Sequence, residues 1–254
     1  MLMNHSSGLS EYFEVAAFQK KFKETPMKVW EPSELVEAIL DQKPLFVAGE
    51  GWSYADTNYI LLGMILERAD KIKLFPEIER RLLRPNKLER TIPSDHPVIA
   101  DLITGYAGPG NPLGYRGPAL VDGKLVINPQ IEWAGGGLAS TAEDLARWAK
   151  LLYEGKLFAK PVTLEKLLTG VAADSGRGGS EGSQYGLGVQ IQKSAQGLRY
   201  GHSGWFPGYL SEMVYFPKQK IAIAAQVNTD SGRVNARGLR PAIAMVAETL
   251  GVKP

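Results

Sequence analysis

The chain contains no cysteine among its 254 residues, which excludes disulfides, thiolate catalysis and cysteine-held zinc. It leaves the redox compartment open, because such a chain suits cytoplasm and periplasm alike. Only three histidines occur, His5, His96 and His202. They lie far apart without metal-ligand spacing, so no metal and no cofactor is expected. No run of about 18 apolar residues could span a bilayer. The opening MLMNHSSGLSEYF has neither the basic nor the apolar segment of a signal peptide. As written, the chain is expected to be soluble and cytoplasmic; an upstream signal peptide would instead send it to the periplasm or outside. An excess of one charge is also missing. The formal net charge of +2 gives no electrostatic case for nucleic acid or an anionic membrane. The short Lys20-Lys21-Phe22-Lys23 run reads as a solvated helix face.

What is present is ordinary globular material. The chain is 44% hydrophobic and 22% charged, enough to bury a sizeable core in one large domain or two intimate lobes. Residues 11–23 read as a short helix, and Pro32 opens a second as its first-turn proline. Residues 57–69 are apolar nearly all round, which predicts a buried helix in the middle of the molecule. A polar helix is expected over residues 76–84. Residues 91–135 are rich in Pro and Gly, so they are expected either to serve function or to be clamped onto a lobe. Ser140-Thr141-Ala142-Glu143 reads as a capping box with Ser140 as the cap, opening a helix to about Tyr153. A shorter helix follows Pro161.

Beyond residue 174 the character changes. Residues 174–183, DSGRGGSEGS, read as a flexible loop. Strand-like runs then cover 184–193, 197–204, 209–217 and 220–228, the last three joined by short turns into an antiparallel meander. An amphipathic helix over 236–250 closes the chain and is expected to cover one sheet face. The fold class is therefore α+β: a mainly helical lobe over 1–183, an antiparallel sheet with its helix over 184–254, and a crevice between them.

Two segments carry the chemistry. In Gly49–Gly63 a Gly-rich turn leads through Tyr54-Ala55-Asp56 straight into the buried helix, which holds the Tyr54 phenol rigidly. If the crevice lowers its pKa from about 10, Tyr54 can act as a general base; the plain alternative is an aromatic that packs the turn. In Tyr200–Pro217 a strand enters His202-Ser203-Gly204 and turns at Pro207-Gly208. Gly204 lets a backbone or ligand approach this strand closely, whereas a strand histidine such as His202 is ordinarily just semi-buried.

Together these segments resemble the serine β-lactamase and penicillin-binding-protein family, which includes D-alanyl-D-alanine carboxypeptidases and esterases. His202-Ser203-Gly204 resembles its Lys-Thr-Gly or His-x-Gly motif. Tyr54-Ala55-Asp56 resembles its Tyr-x-Asn motif, with Asp56 removing two amide donors and adding a possible negative charge. Asn4–Leu9, Arg84–Thr91 (in degraded form) and Gly136–Ala146 resemble three further segments in the same order, so the resemblance covers nearly the whole chain. It implies a β-lactamase/transpeptidase-like fold and acyl transfer on a D-Ala-D-Ala-like peptide, a β-lactam or a small ester. It implies Tyr54 as base and His202 in the place of a lysine that supports both the tyrosine and the substrate carboxylate. The Trp205 backbone N–H would be an oxyanion-hole donor, Gly204 and Trp205 would let the edge strand pair with a substrate acyl group by β-augmentation, and Asp56 would stand at the substrate-binding position where the family recognises an amide.

The family's nucleophile is a Ser-x-x-Lys pair. No serine of this sequence has lysine three positions later. Gly178-Gly179-Ser180-Glu181-Gly182 matches a nucleophile elbow by letters, but its flanks are polar and lack the strand before and the helix after. In the family the Ser-x-x-Lys helix and the first strands precede the segment that here begins at residue 4. The expectation is a fragment of a serine hydrolase, inactive alone, with an inner strand left as an exposed edge. The alternative is a pseudoenzyme that binds ligand without turnover. Either way the partner is a small molecule or peptide.

Overall fold

The computed structural model describes residues 1–109, 113–231 and 238–254. Three-residue 3-10 turns stand at Leu2–Asn4, Tyr12–Glu14 and Pro129–Ile131. The helices are α1 (Ala16–Glu24), α2 (Pro32–Glu37), α3 (Thr57–Asp70), α4 (Leu74–Ile78), α5 (Trp133–Gly136), α6 (Ala142–Tyr153), α7 (Pro161–Leu167) and α8 (Arg240–Thr249). Six two-residue strands pair as antiparallel ladders in the first part: β1 (Ile92–Pro93) with β6 (Leu138–Ala139), β2 (Tyr106–Ala107) with β3 (Gly117–Pro118), and β4 (Leu120–Val121) with β5 (Lys124–Leu125). The remaining strands are β7 (Val171–Ala172), β8 (Gln184–Tyr185), β9 (Gln190–Ser194), β10 (Gly197–Phe206), β11 (Tyr209–Phe216) and β12 (Ile221–Val227). They form one antiparallel sheet in the order β12-β11-β10-β9-β8-β7.

Side chains alternate across this sheet, so each face needs its own cover. On one face Val189, Ile191 and Tyr215 pack against Ala149 and Tyr153 of α6. On the other, Val214, Phe216 and Ile223 pack against Ile243 and Ala247 of α8. The helical part has a separate aromatic core in which Tyr12, Phe18, Phe22, Trp30 and Trp133 surround Leu35 and Ile60. Each fully buried side chain of this size contributes about 2–3 kcal/mol.

Several sequence expectations need correction. The helix expected at 11–23 divides at Val15, whose extended backbone (φ −74°, ψ 116°) ends the first turn and caps α1. The second helix starts at Pro32 as read, with Glu31 and Glu34 exchanging cap hydrogen bonds. Only the first half of α3 is central: Thr57, Asn58, Ile60 and Gly63 are buried, whereas Ile65 and Leu66 are about half exposed. Gly63 has a packing reason, since a Cβ there would meet Ala134 Cβ at 2.7 Å and the Trp133 ring at 2.8 Å. The helix expected at 76–84 is α4 followed by a wider π-turn at Glu79–Leu83. The cap of α6 is Thr141 rather than Ser140: its hydroxyl accepts from the Asp144 N–H at 3.3 Å. The Ser140 hydroxyl instead meets Thr91 at 2.7 Å, beside the Asp144 carboxylate that accepts from Arg90 N–H and Thr91.

The strand expected at 184–193 breaks at 186–188, where Leu187 N–H donates to Leu167 O and Gly188 N–H to Met3 O. The break separates β8 from β9 and ties the N-terminal turn to the sheet. The closing helix spans Arg240–Thr249; the part of the expected span at 236–237 lies outside the described residues. Among the described residues no helix is long and apolar enough to cross a membrane.

Candidate active site

Three pieces of chain meet at the end of the sheet: the turn 52–56 before α3, the loop 174–183, and the tip of β10. The turn is fixed from below by His5. This fully buried residue accepts hydrogen bonds at Nδ1 from Ala55 N–H (3.2 Å) and from the Asn58 amide (3.1 Å). The Tyr54 ring lies on the His5 ring at a centroid distance of 4.2 Å. Burial, with His202 and Arg177 nearby, drives the His5 pKa down to about 3. His5 is therefore a neutral platform for Tyr54.

Tyr54 does not have the lowered pKa expected of a phenolic base. Burial, the Asp56 carboxylate and Tyr185 all push it well above 10. Asp56 itself is raised by burial and is one of three carboxylates that meet here. Glu11 is raised to about 7 by burial and by Asp56, although it accepts from Asp56 N–H at 2.6 Å and from Phe13 N–H at 3.1 Å. Glu132, immediately before α5, is raised to about 8 by burial, Asp56 and Glu11. Among the described residues a single cation, Arg177, opposes the charge of all three.

Arg177 comes from the loop expected to be flexible, which the structure shows bound down. Tyr54 N–H donates to Arg177 O at 3.0 Å, and Arg177 N–H donates to Ser53 Oγ at 3.3 Å. Its guanidinium donates to Tyr54 O at 3.1 Å, pairs with Glu11 at 3.4 Å and Glu14 at 3.0 Å, and sits 5.5 Å from the Tyr54 ring centroid. Neighbouring Gly176 has φ +73°, and a Cβ there would lie 2.2 Å from Trp52 O. Only glycine lets the loop approach the turn this closely.

On the sheet side, β9 pairs with β10 only as far as Gly201↔Gln190, while β11 follows it to Phe206↔Tyr209. Among the described residues, 202–206 thus have a strand partner on one side only. Alternation counted back from the two-residue turn at Pro207-Gly208 puts Phe206, Gly204 and His202 in hydrogen-bonded pairs with β11. The N–H and C=O of Ser203 and Trp205 then face the free side. Gly204 lies against β11, where a Cβ would meet Ser211 Oγ at 2.4 Å. The Trp205 indole donates to buried Asp230 at 3.1 Å, and Asp230 also accepts from Gly108 N–H.

His202 stands between the two sides, but it does not bond to Tyr54. The ring centroids are 5.9 Å apart. His202 Nδ1 lies 2.7 Å from Ser203 O, which can only accept, so Nδ1 carries the proton. Nε2, 2.8 Å from the Tyr185 hydroxyl, accepts from it. Burial lowers the His202 pKa, in keeping with a neutral ring. In this structure His202 is thus bonded to Tyr185 and to Ser203 O and packs beside Tyr54 without a hydrogen bond to it.

Of the residues singled out in the sequence, Tyr54, Asp56, His202, Gly204 and Trp205 converge on this crevice. His5, Glu11, Glu132, Arg177 and Tyr185 were not singled out as site residues. His5 sits within a motif-like segment that gave a signal; the others are isolated letters in unpatterned stretches.

The chain is 26% identical over 231 residues to a penicillin-binding protein of Bacillus subtilis (strain 168), covering 87% of this chain and 49% of that one. It is 21% identical over 238 residues to the D-aminopeptidase of Brucella anthropi, covering 91% and 41%. The chain thus spans about half the length of the curated relatives it matches. Among solved structures, a D-stereospecific amidohydrolase from Streptomyces sp. superposes with a TM-score of 0.78 at 28% identity, covering 90% of this chain and 67% of that one. The D-amino acid amidase from Ochrobactrum anthropi SV3, complexed with L-phenylalanine amide, superposes at 0.79 with 21% identity, covering 98% and 71%. The family model described as Beta-lactamase matches residues 1–248, and the chain belongs to that family.

Proposed function

We propose that this chain forms the substrate-facing wall of an acyl-transfer site for amides or esters of D-configured acids bearing a free amino group. The carrying observation is the Tyr54–Asp56 turn opposite the free side of β10. An extended acyl group can add to Ser203 and Trp205 by backbone hydrogen bonds, with Trp205 N–H aimed at a developing oxyanion. The amino group follows from charge. Asp56 with Glu11 and Glu132 makes the crevice acidic, so a substrate ammonium is attracted and a carboxylate is repelled. The relatives named D-aminopeptidase, D-amino acid amidase and D-stereospecific amidohydrolase support the same direction.

Tyr54 in this chain is a phenol, because neighbouring carboxylates disfavour the phenolate. A lysine ammonium beside it would reverse that. We assign the acylating Ser-x-x-Lys pair to residues outside these 254, since none of their serines has the spacing. This chain by itself then binds without acylating. The second reading, a pseudoenzyme, rests on the same missing pair and on Asp56.

Calorimetry with D-phenylalaninamide and its N-acetyl derivative tests the substrate class. Binding of the free amine at least tenfold tighter supports it; equal affinity, or no binding of either, defeats it. Intact mass after incubation with a reactive penicillin and with a fluorophosphonate tests the missing nucleophile. A stable adduct on one serine would overturn that part.

A further inference from the structure

Arg177 bonds to Ser53, Tyr54, Glu11 and Glu14, yet it sits in a loop with no hydrophobic residue between Asp174 and Gln184. The base of that loop is closed by its own bonds: Ala173 N–H to Ser183 O, Ser180 N–H to Ala173 O, and Ser183 Oγ against Ala173 O. These do not reach the crevice. The tip reaches it through Arg177, by backbone bonds to Ser53 and Tyr54 and by the guanidinium to Tyr54 O, Glu11 and Glu14.

We propose that Arg177 is a positioning residue that clamps the loop 174–183 onto the Tyr54 turn and thereby sets the width of the crevice. The proposal rests on the reading of that turn as substrate-facing. Three parts of the chain otherwise distant in sequence, residues 11–14, Tyr54 and the loop around Arg177, are held together by one side chain. Backbone bonds alone would leave the loop tip attached at only two points, both exchangeable with water.

The clamp has a built-in dependence on pH. The ionisable groups facing Arg177 are Glu11 and Glu14 from the 3-10 turn, Tyr54 and Asp56 from the turn before α3, and Glu132 from before α5. Tyr54 is held neutral by its raised pKa, and His5 and His202, both lowered, are already neutral at their ordinary pKa and above. Glu11, at about 7, and Glu132, at about 8, gain charge between pH 6 and 9. Arg177 is always charged, so its grip tightens as pH rises.

Trypsin reads this directly, because cleavage of Arg177–Gly178 requires the guanidinium to leave its carboxylates and enter the protease. The rate of appearance of fragments 1–177 and 178–254 is compared with cleavage of a free peptide of residues 172–183, which cancels the pH profile of trypsin itself. The expected relative rate falls severalfold from pH 6 to pH 9. Glu11→Gln raises it about tenfold at pH 8, as expected for a lost charged hydrogen bond, and flattens the profile. Glu14→Gln, an exposed change that leaves the core intact, raises it about threefold. The same Glu14→Gln protein binds D-phenylalaninamide more weakly if the clamp sets the crevice. Equal relative rates for wild type and both variants, with a flat profile, would overturn the clamp. Failure of wild type to bind the amide, with the cleavage pattern as expected, would sink the substrate reading and leave the clamp standing.

Discussion

Replacing Glu132 with Gln should make the protein more stable, increasingly so as pH rises. A carboxylate whose folded pKa is raised favours folding while protonated and opposes it once ionised. The raised value of about 8, against 4.5 unfolded, places the loss of stability between pH 4.5 and 8. At 1.36 kcal/mol per pKa unit the penalty approaches about 5 kcal/mol above pH 9 and is only about 1 kcal/mol at pH 5. Asp56 and Glu11 share the same repulsion and release part of their own protons when Glu132 is removed. About half of the difference should therefore survive, a relative gain of ~2 kcal/mol between pH 5 and pH 9. For a chain of this length that corresponds to a widening of about 4–8 °C between the two melting curves. Calorimetric melts of wild type and Glu132→Gln at five pH values supply the test. The histidines, lowered in the folded state, cost stability below their ordinary pKa of 6.5 in both proteins, so they cancel in the comparison. Two curves running parallel from pH 5 to 9 would mean that the crevice is already well solvated, and the electrostatic argument for ammonium recognition would fall with it.

Four further substitutions probe the geometry. Gly176→Ala forces both a left-handed backbone and a clash with Trp52 O, and should cost about 3 kcal/mol in urea unfolding or detach the loop. Gly182→Ala, with φ +70° but open space around it, should cost only about 1 kcal/mol. Tyr185→Phe removes the donor that favours neutral His202, so the His202 resonance should titrate at higher pH than in wild type, by about 0.5–1 unit; an unchanged midpoint would contradict the assigned tautomer. Thr141→Ala should destabilise by about 1 kcal/mol through loss of the α6 cap, measured by chemical denaturation.

The sheet was legible because its evidence is periodic: alternation over 197–228 and turn residues at 207–208 leave little freedom, and β10, β11 and β12 follow. The capping box was legible as a helix start but not to the residue. Ser140 and Thr141 are both good caps, and the contact of Ser140 with Thr91, 49 positions away, leaves Thr141 to cap the helix. The apolar run of α3 was overread, because composition alone cannot distinguish a helix buried along its length from one whose second half reaches the surface. At the site, Tyr54 and His202 announced themselves by their glycine-rich company. Glu11, Glu132 and Arg177 act only through distance in space, and no local pattern marks a carboxylate whose neighbour lies more than a hundred residues away.

This difference matters for the reading of Asp56. In sequence it is a one-atom departure from an asparagine, two lost amide donors and a possible negative charge. In the fold it joins two further carboxylates and one arginine in a crevice where the acids and the phenol shift upward and the histidines downward, each toward its uncharged form, while Arg177 shifts toward its charged form. Such a site resists charge until a cation arrives. A bound ammonium would lower all three carboxylates at once and release heat of protonation to the buffer, so proton release on ligand binding near pH 7 follows from the arrangement. Calorimetry of D-phenylalaninamide binding in two buffers of different ionisation enthalpy measures that number. Roughly half a proton or more released would tie the amine to the carboxylates; none released would leave Asp56 as a buried substitution without a part in recognition.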